Sequence, residues 1–374
     1  MENQLKNKIL VLPKQRPKNV SILDFVLDTL SEYKIYLSEL ESNSNIFDKN
    51  ATHEELMRIV RILSDGLYES IRLYLLGLPH KAYCKLKKCL ENAEIMGKVD
   101  LTVDCSDKDF YRARKKGKKD KIESKNDMFH IPYNLIEQVG NERFSISGSP
   151  ALYLGSNVFT CFKEMNVKSN QKNDLYISRV KIPDMTIRFF DLRIHLDQTL
   201  KKYEERHKDL FRPDIYLYLM TFPLIFASSL KTAYPKEKFK PEYIIPNLLM
   251  QYVRGLNENG RYFGILYSST KINKNDTDMP QLFYNAVIPS RLNDKANQFC
   301  QYMVSQVQIS NPINCGDNFE KVKPDFGGYY LIGNENNVNE HLKSYIYSLS
   351  ENYRSSPYAN IENILDKEKV QWLI

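Results

Sequence analysis

Glycine is scarce in this chain, at 14 of 374 residues, and tryptophan occurs once. Neither GxGxxG nor GxxxxGK occurs, so the sequence has no loop for holding a dinucleotide in the Rossmann manner or a phosphate in the P-loop manner. The six cysteines stand at 84, 89, 105, 161, 300 and 315. No CxxC pair is among them, which argues against a zinc ribbon or a thioredoxin-like centre. The histidines at 53, 80, 130, 195, 207 and 341 show neither HxxxH nor HExxH spacing, so no metal site is expected. Ser/His/Asp and Cys/His catalysis leave no local signature either. No secretory core opens the chain in MENQLKNKIL, and reduced thiols in a cytoplasmic protein are the expectation.

Long hydrophobic runs are also lacking. The most apolar stretch, Ile215 to Leu230, is shorter than the ~20 residues that span a bilayer and is interrupted by Pro223. It reads as a buried core helix or helix pair, and no membrane partner is expected. The excess of basic charge is small: 53 Lys and Arg against 46 Asp and Glu, a formal +7. That favours an anionic ligand weakly and gives no reason to expect DNA as a partner. A chain of this length with 42% hydrophobic residues can build two domains, each with its own core.

The first hundred residues read as helical. Apolar residues recur at helical spacing in SILDFVLDTLSEYKIYLSEL, with Ser21 as the N-cap. A second helix follows from Thr52, which opens a Thr-x-x-Glu capping box with Glu55. Gly77 and Pro79 stop it, and a third begins with Pro79 near its first turn. Beyond residue 100 come short β-like segments, RFSIS, ALYLG, DLYISRVKI, MTIRFFDL, RYFGILYSS and LFYNAVIP, with helices between them without strict alternation. The expected class is therefore α+β. The basic run RARKKGKKDK reads as a solvated loop.

Four polar residues stand at strand ends or helix starts. Arg112 follows an aromatic pair, Arg143 opens RFSIS, and Ser269 ends GILYSS. Glu164 lies in SNVFTCFKEM, a short helix that Ser156 or Asn157 can cap. Helical spacing puts Val158, Cys161, Phe162 and Met165 on one face and Glu164 at its flank. Such a carboxylate is either salt-bridged or aimed into a cleft. The arginines are open in the same way, since a structural ion pair is the usual fate of a partly buried arginine.

FYRAR, RFSISGSPALYLGSNVFTCFKE, EYIIPNLLMQYVR and GILYSST together resemble the RES domain family, over roughly residues 101 to 300. That family takes its name from an Arg, a Glu and a Ser, which match Arg112, Glu164 and Ser269. Ser268 is adjacent, so the serine assignment allows either. Arg143 matches a second family arginine, although Phe144 and Ser145 stand where an asparagine often follows. The resemblance implies an ADP-ribosyltransferase-like fold with a mixed β-sheet core, and NAD as substrate rather than cofactor. It implies a toxin half of a toxin–antitoxin pair or a defence effector, with an antitoxin or regulatory protein as partner.

These residue types suit that chemistry. A planar guanidinium matches a pyrophosphate bidentately, and Arg112 and Arg143 are the candidates. Cleaving the nicotinamide–ribose bond builds positive charge on the ribose, as in glycoside hydrolysis, and Glu164 would stabilise it. Ser269 would hold a ribose hydroxyl or position the glutamate. Tyr111 and Tyr153 are candidates for stacking on a base, against core packing as the plainer alternative.

The helical front end, IRLYLLGLPHKAYCKL, is similar to HEPN-type domains, but seven residues separate Arg72 from His80 and the nuclease motif is not met. A scaffold, dimerisation or sensing role is expected, with homo-oligomers through these helices. The organisation read from sequence is a HEPN-like domain over 1–100, a RES domain over 101–335 and closing helices over 336–374. The leading function is NAD glycohydrolysis. Protein mono-ADP-ribosylation uses the same residues. An RNA-binding or RNA-cleaving module using Lys115, Lys116, Lys118 and Lys119 is the reading from another class.

Overall fold

The computed structural model describes residues 8–40, 46–95, 97, 99–117, 121–167, 174–193, 213–256, 262–272, 283–291, 298–316 and 356–373. It is an α+β fold, with helices and a many-stranded sheet. The chain divides into two compact units. One takes Met1–Thr102, Asn141–Ile146 and Phe190–Glu258, and the other takes Val103–Gly140, Ser147–Phe189 and Asn259–Ile374.

The first unit is helical. Helix α1 (Ile22–Ser38) starts at Ser21, whose hydroxyl accepts from the Asp24 N–H at 3.0 Å. Helix α2 (His53–Leu75) starts at Thr52, which accepts from the Glu55 N–H at 3.1 Å. The chain leaves α2 through Gly77 at φ +75°, with the Leu78 N–H closing back on the Leu73 carbonyl, a Schellman-type end. Helix α3 (Pro79–Asn92) then begins with proline in its first turn. Both N-caps and the break at Gly77 and Pro79 are as the sequence predicts; of the capping box the Thr52 half is described, while the Glu55 carboxylate accepts from Arg58.

Two later helices, α5 (Pro213–Ser229) and α6 (Ile244–Leu256), belong to this unit. The sequence reading placed 190–258 with the strands, and the structure groups it with the first hundred residues. The physical reason is the composition of α5, which is buried on all sides from Ile215 to Ser228 apart from Leu217. A helix apolar all round needs helices around it. Here α2 packs against it, and Tyr33 of α1 donates to the Leu219 carbonyl at 2.5 Å.

The second unit holds the sheet. Its strands include β2 (Asp109–Lys115), β3 (Ala151–Gly155), β4 (Leu175–Lys181), β6 (Tyr262–Ser268), β7 (Tyr284–Pro289), β8 (Gln308–Ile309), β9 (Ile313–Asn314) and β10 (Gln371–Trp372). The chain changes units within β1 (Thr102–Val103) and within β5 (Arg188–Leu192). Among the described residues the order is β6-β7-β3-β2-β4-β8-β10, with β9 also on β4. Short helices α4 (Val158–Glu164) and α7 (Gln301–Gln306) join it, and α8 (Pro357–Lys367) follows late in the chain. The closing helices expected over 336–374 are described only from 356 on, where α8 lies.

Strand alternation gives the sheet two buried faces. Phe110, Leu152, Leu154, Leu266, Ala286 and Ile288 join one core cluster. Tyr111 and Ala113 join the other, with Val158, Phe159, Cys161 and Phe162 of α4 and residues of α8. This second face carries the candidate site. Among the described residues no helix is long and apolar enough to cross a membrane.

Candidate functional site

Helix α4 starts directly after β3. Gly155 permits this, because a Cβ there would stand 2.7 Å from the Cys161 sulfur and 3.2 Å from the Asn157 carbonyl oxygen. Of the two candidate caps it is Asn157 that acts, its Oδ1 accepting from the Thr160 N–H at 2.8 Å. Val158, Cys161 and Phe162 are buried as the spacing predicts, whereas Met165 lies past the helix end and is exposed. Glu164 is the last residue of α4, at the flank of the buried face and half-buried.

Ser269 comes to it from the end of β6. Its N–H donates to the Phe283 carbonyl at 3.0 Å, which anchors its backbone beside the chain entering β7, and its hydroxyl donates to Oε1 of Glu164 at 2.6 Å. Ser269, rather than Ser268, makes this bond. Asn285 of β7 donates from Nδ2 to the same Oε1 at 2.8 Å. Its register partners are Gly155 on β3 and Tyr267 on β6, so its side chain stands on the α4 face of the sheet. Both donors are buried, Ser269 at 2% exposure and Asn285 at 4%. On the other oxygen, the Lys271 ammonium lies 3.5 Å from Oε2. The lysine also donates to the Glu164 carbonyl, and its backbone N–H donates to the Ser269 hydroxyl at 3.2 Å. The result is one carboxylate held by two buried neutral donors and a half-exposed cation.

Two tyrosines share this face by alternation. Tyr153 lies two residues before Gly155 on β3, and Tyr267 pairs with Asn285. Both are half-buried. Tyr111, also on this face, is 6% exposed within the core against α4, and burial pushes its phenol well above the ordinary range. The structure thus places Tyr111 in packing rather than in stacking on a ligand.

Alternation sends Arg112 to the other face, with Phe110. Its Nε donates to the Met128 carbonyl at 3.2 Å and its Nη1 to the Tyr153 carbonyl at 3.1 Å. Strands β2 and β3 pair only at Tyr111 and Gly155, and the guanidinium ties them together just beyond that point. Burial, aided by Arg114, lowers its pKa to about 10, which leaves it a cation at neutral pH. Arg114 beside it donates to the Asp127 carbonyl at 2.5 Å.

Arg143 belongs to the first unit. It is 7% exposed and donates to the carbonyls of Ser228 at 2.9 Å and Leu230 at 2.5 Å, with its guanidinium over the Tyr243 ring at 4.8 Å. These are carbonyls at the end of α5, which no longer have partners inside the helix. The pyrophosphate clamp expected of Arg112 and Arg143 is therefore not what their described bonds make; both arginines donate to backbone oxygens. Phe144, where an asparagine was looked for, is buried at φ +58°, a left-handed conformation that asparagine adopts more readily than phenylalanine. Gly148, also left-handed at φ +72°, makes the turn before β3.

His130 is buried and accepts the Cys300 N–H on Nε2 at 2.9 Å, so its Nδ1 carries the proton donated to the Ile131 carbonyl at 2.7 Å. Burial, opposed by that carbonyl and assisted by Arg112, lowers its pKa to about 4. It is a structural, neutral imidazole. Among the described residues no group of three or more His, Cys, Asp or Glu could hold a metal ion. Lys118, Lys119, His195, His207 and His341 lie outside the described residues.

Asn285 and Lys271 were not anticipated from sequence. A polar residue at an otherwise apolar strand position, in YNAVIP, was the available signal for Asn285. Lys271 gave none.

No protein-family model matches the chain, and no solved structure matches it. Over 306 residues the chain is 33% identical to a protein of Bacillus subtilis (strain 168) named "Putative toxin YopC". The similarity takes in 77% of this chain and 65% of that protein. The chain thus spans less than two thirds of the length of this relative.

Proposed function

We propose that the second unit is an NAD-cleaving enzyme that acts as a toxin or defence effector, with Glu164 as its key carboxylate. The observation that carries this reading is the grouping of Ser269 and Asn285 on Oε1 of Glu164. Two buried donors fix one carboxylate at the edge of a sheet face that also offers Tyr153 and Tyr267. The resemblance of the Arg112, Glu164 and Ser269 set to RES domains supports it, as does similarity to a relative named as a toxin.

In this reading the bond between ribose C1′ and the nicotinamide nitrogen breaks, and its electron pair leaves with nicotinamide. The departing ring is already cationic in NAD and becomes neutral, so no general acid is needed. Positive charge builds on C1′ and the ring oxygen, and the Glu164 carboxylate stabilises it. Water then adds to C1′ and releases its proton to solvent, giving ADP-ribose. Tyr153 and Tyr267 supply ring faces for the nicotinamide. Arg112 acts through the backbone it ties, as a positioning residue. The first unit would serve as scaffold or sensor, and an antitoxin or regulatory protein would restrain the activity in the cell.

The test is NAD consumption and product identity with the purified chain and with Glu164→Gln. Free nicotinamide and ADP-ribose from the wild type alone support hydrolysis. Label retained on protein would instead assign mono-ADP-ribosylation to the same residues. NAD turnover that survives Glu164→Gln removes Glu164 from the chemistry.

A further inference from the structure

The reading above leaves one charged group at Glu164 without a task. Lys271 stands two residues past Ser269, and its ammonium lies 3.5 Å from Oε2, with the side chain 49% exposed against 28% for Glu164. Oε1 carries both buried donors, whereas the described partner of Oε2 is this lysine. The carboxylate is thus anchored on its inner oxygen and charge-compensated on its outer one.

These two oxygens suit two different events. Ser269 and Asn285 are neutral and buried, so they hold the carboxylate in place without cancelling its charge. Lys271 does cancel it. A positive ribose forming near Oε2 would be attracted by the carboxylate and repelled by the ammonium beside it, to nearly the same extent. The carboxylate acts on such a charge only once the ammonium has moved. The lysine can move, since its flexible side chain is half exposed, and in moving it gives up its bond to the Glu164 carbonyl as well as its contact with Oε2.

We propose that Lys271 is a resident counter-ion of Glu164, displaced when a ligand brings its own positive charge to Oε2. The inference rests on the NAD reading, and it makes Lys271 a competitor for Oε2 that a cationic nicotinamide ring displaces and a neutral ring does not. NAD compensates the carboxylate for the departing ammonium. NADH shares the adenine, pyrophosphate and riboses, but its reduced ring is neutral and cannot.

The test compares wild type, Lys271→Met and Lys271→Arg by kcat/KM for NAD and by calorimetric Kd for NADH, with a thermal melt of each. Removing the competing cation should raise kcat/KM for NAD up to about fivefold in Lys271→Met, the size of one modest, part-exposed charge contact. The NADH affinity should stay within about twofold of wild type, because no ring charge is at stake. Lys271→Arg should behave as wild type. A fall in NAD turnover in Lys271→Met with an unchanged melt overturns the proposal, since the lysine would then support the site. Equal changes for NAD and NADH overturn it too, since the lysine would then act on the shared part of the ligand. Should Lys271→Met fold poorly, Lys271→Gln carries the same comparison. If no protein turns over NAD and none binds NADH, the NAD reading fails and this inference falls with it, an outcome distinct from the two above.

Discussion

The hydroxyl of Ser269 donates to Oε1 of Glu164 at 2.6 Å, joining residues 105 apart in sequence. Neither needs the other for local structure. Glu164 ends a two-turn helix and Ser269 ends a strand, and each element would form with many other residues at that position. Their meeting, with Asn285 on the same oxygen, is what makes this place a candidate site rather than a surface carboxylate.

That shared oxygen leads to a first prediction. Ser269→Ala and Asn285→Ala should each lower kcat for NAD cleavage by roughly ten- to a hundredfold, with less effect on KM, because each loosens a carboxylate that acts in the transition state. The double variant should lose less than the product of the two, since both donors serve one atom. Steady-state kinetics on the three variants measures this. Additive losses would mean that the two residues act separately.

Arg143 supplies the second. Arg143→Met leaves the carbonyls of Ser228 and Leu230 without their described donor, and each buried unpaired group costs about 1–3 kcal/mol. The melting temperature should fall by several degrees, and Arg143→Lys should rescue little, because a single ammonium does not reproduce the fork. If the melt is unchanged and the KM for NAD rises, the guanidinium serves substrate after all.

The third concerns pH. His130 titrates near 4 in the fold, below its ordinary range around 6.5. Between those values the unfolded chain binds a proton that the folded chain does not, so stability falls as pH is lowered through this window. The full loss is about 3 kcal/mol by linkage, complete below about pH 4 and absent above about 6.5. Melting curves from pH 7 to pH 4 should converge for wild type and His130→Asn, with wild type the more stable at pH 7. Parallel curves would show that His130 does not carry this dependence.

What the sequence made legible was local. Ser21 and Thr52 cap their helices because a hydroxyl three residues before a free N–H is enough to do so. Glu164 could be put at a helix flank by spacing, and Asn285 in a strand, because each depends on neighbours within a few positions. The Glu164–Ser269 pair came from a resemblance, not from periodicity. What was not legible depended on distant chain. Arg143 finds carbonyls 85 and 87 residues away, and no pattern around RFSIS points to the end of α5. Helices α5 and α6 join the front of the chain because α5 must be covered on every side, which shows in its composition but not in where its cover comes from. Lys271 meets Glu164 only because β6 ends beside α4.

The most direct measurement follows NAD and nicotinamide by NMR in solutions of the purified chain and of Glu164→Gln. This account predicts loss of NAD with free nicotinamide in the first and none in the second, with matching melts showing that both are folded. Equal nicotinamide release by the two proteins would contradict it.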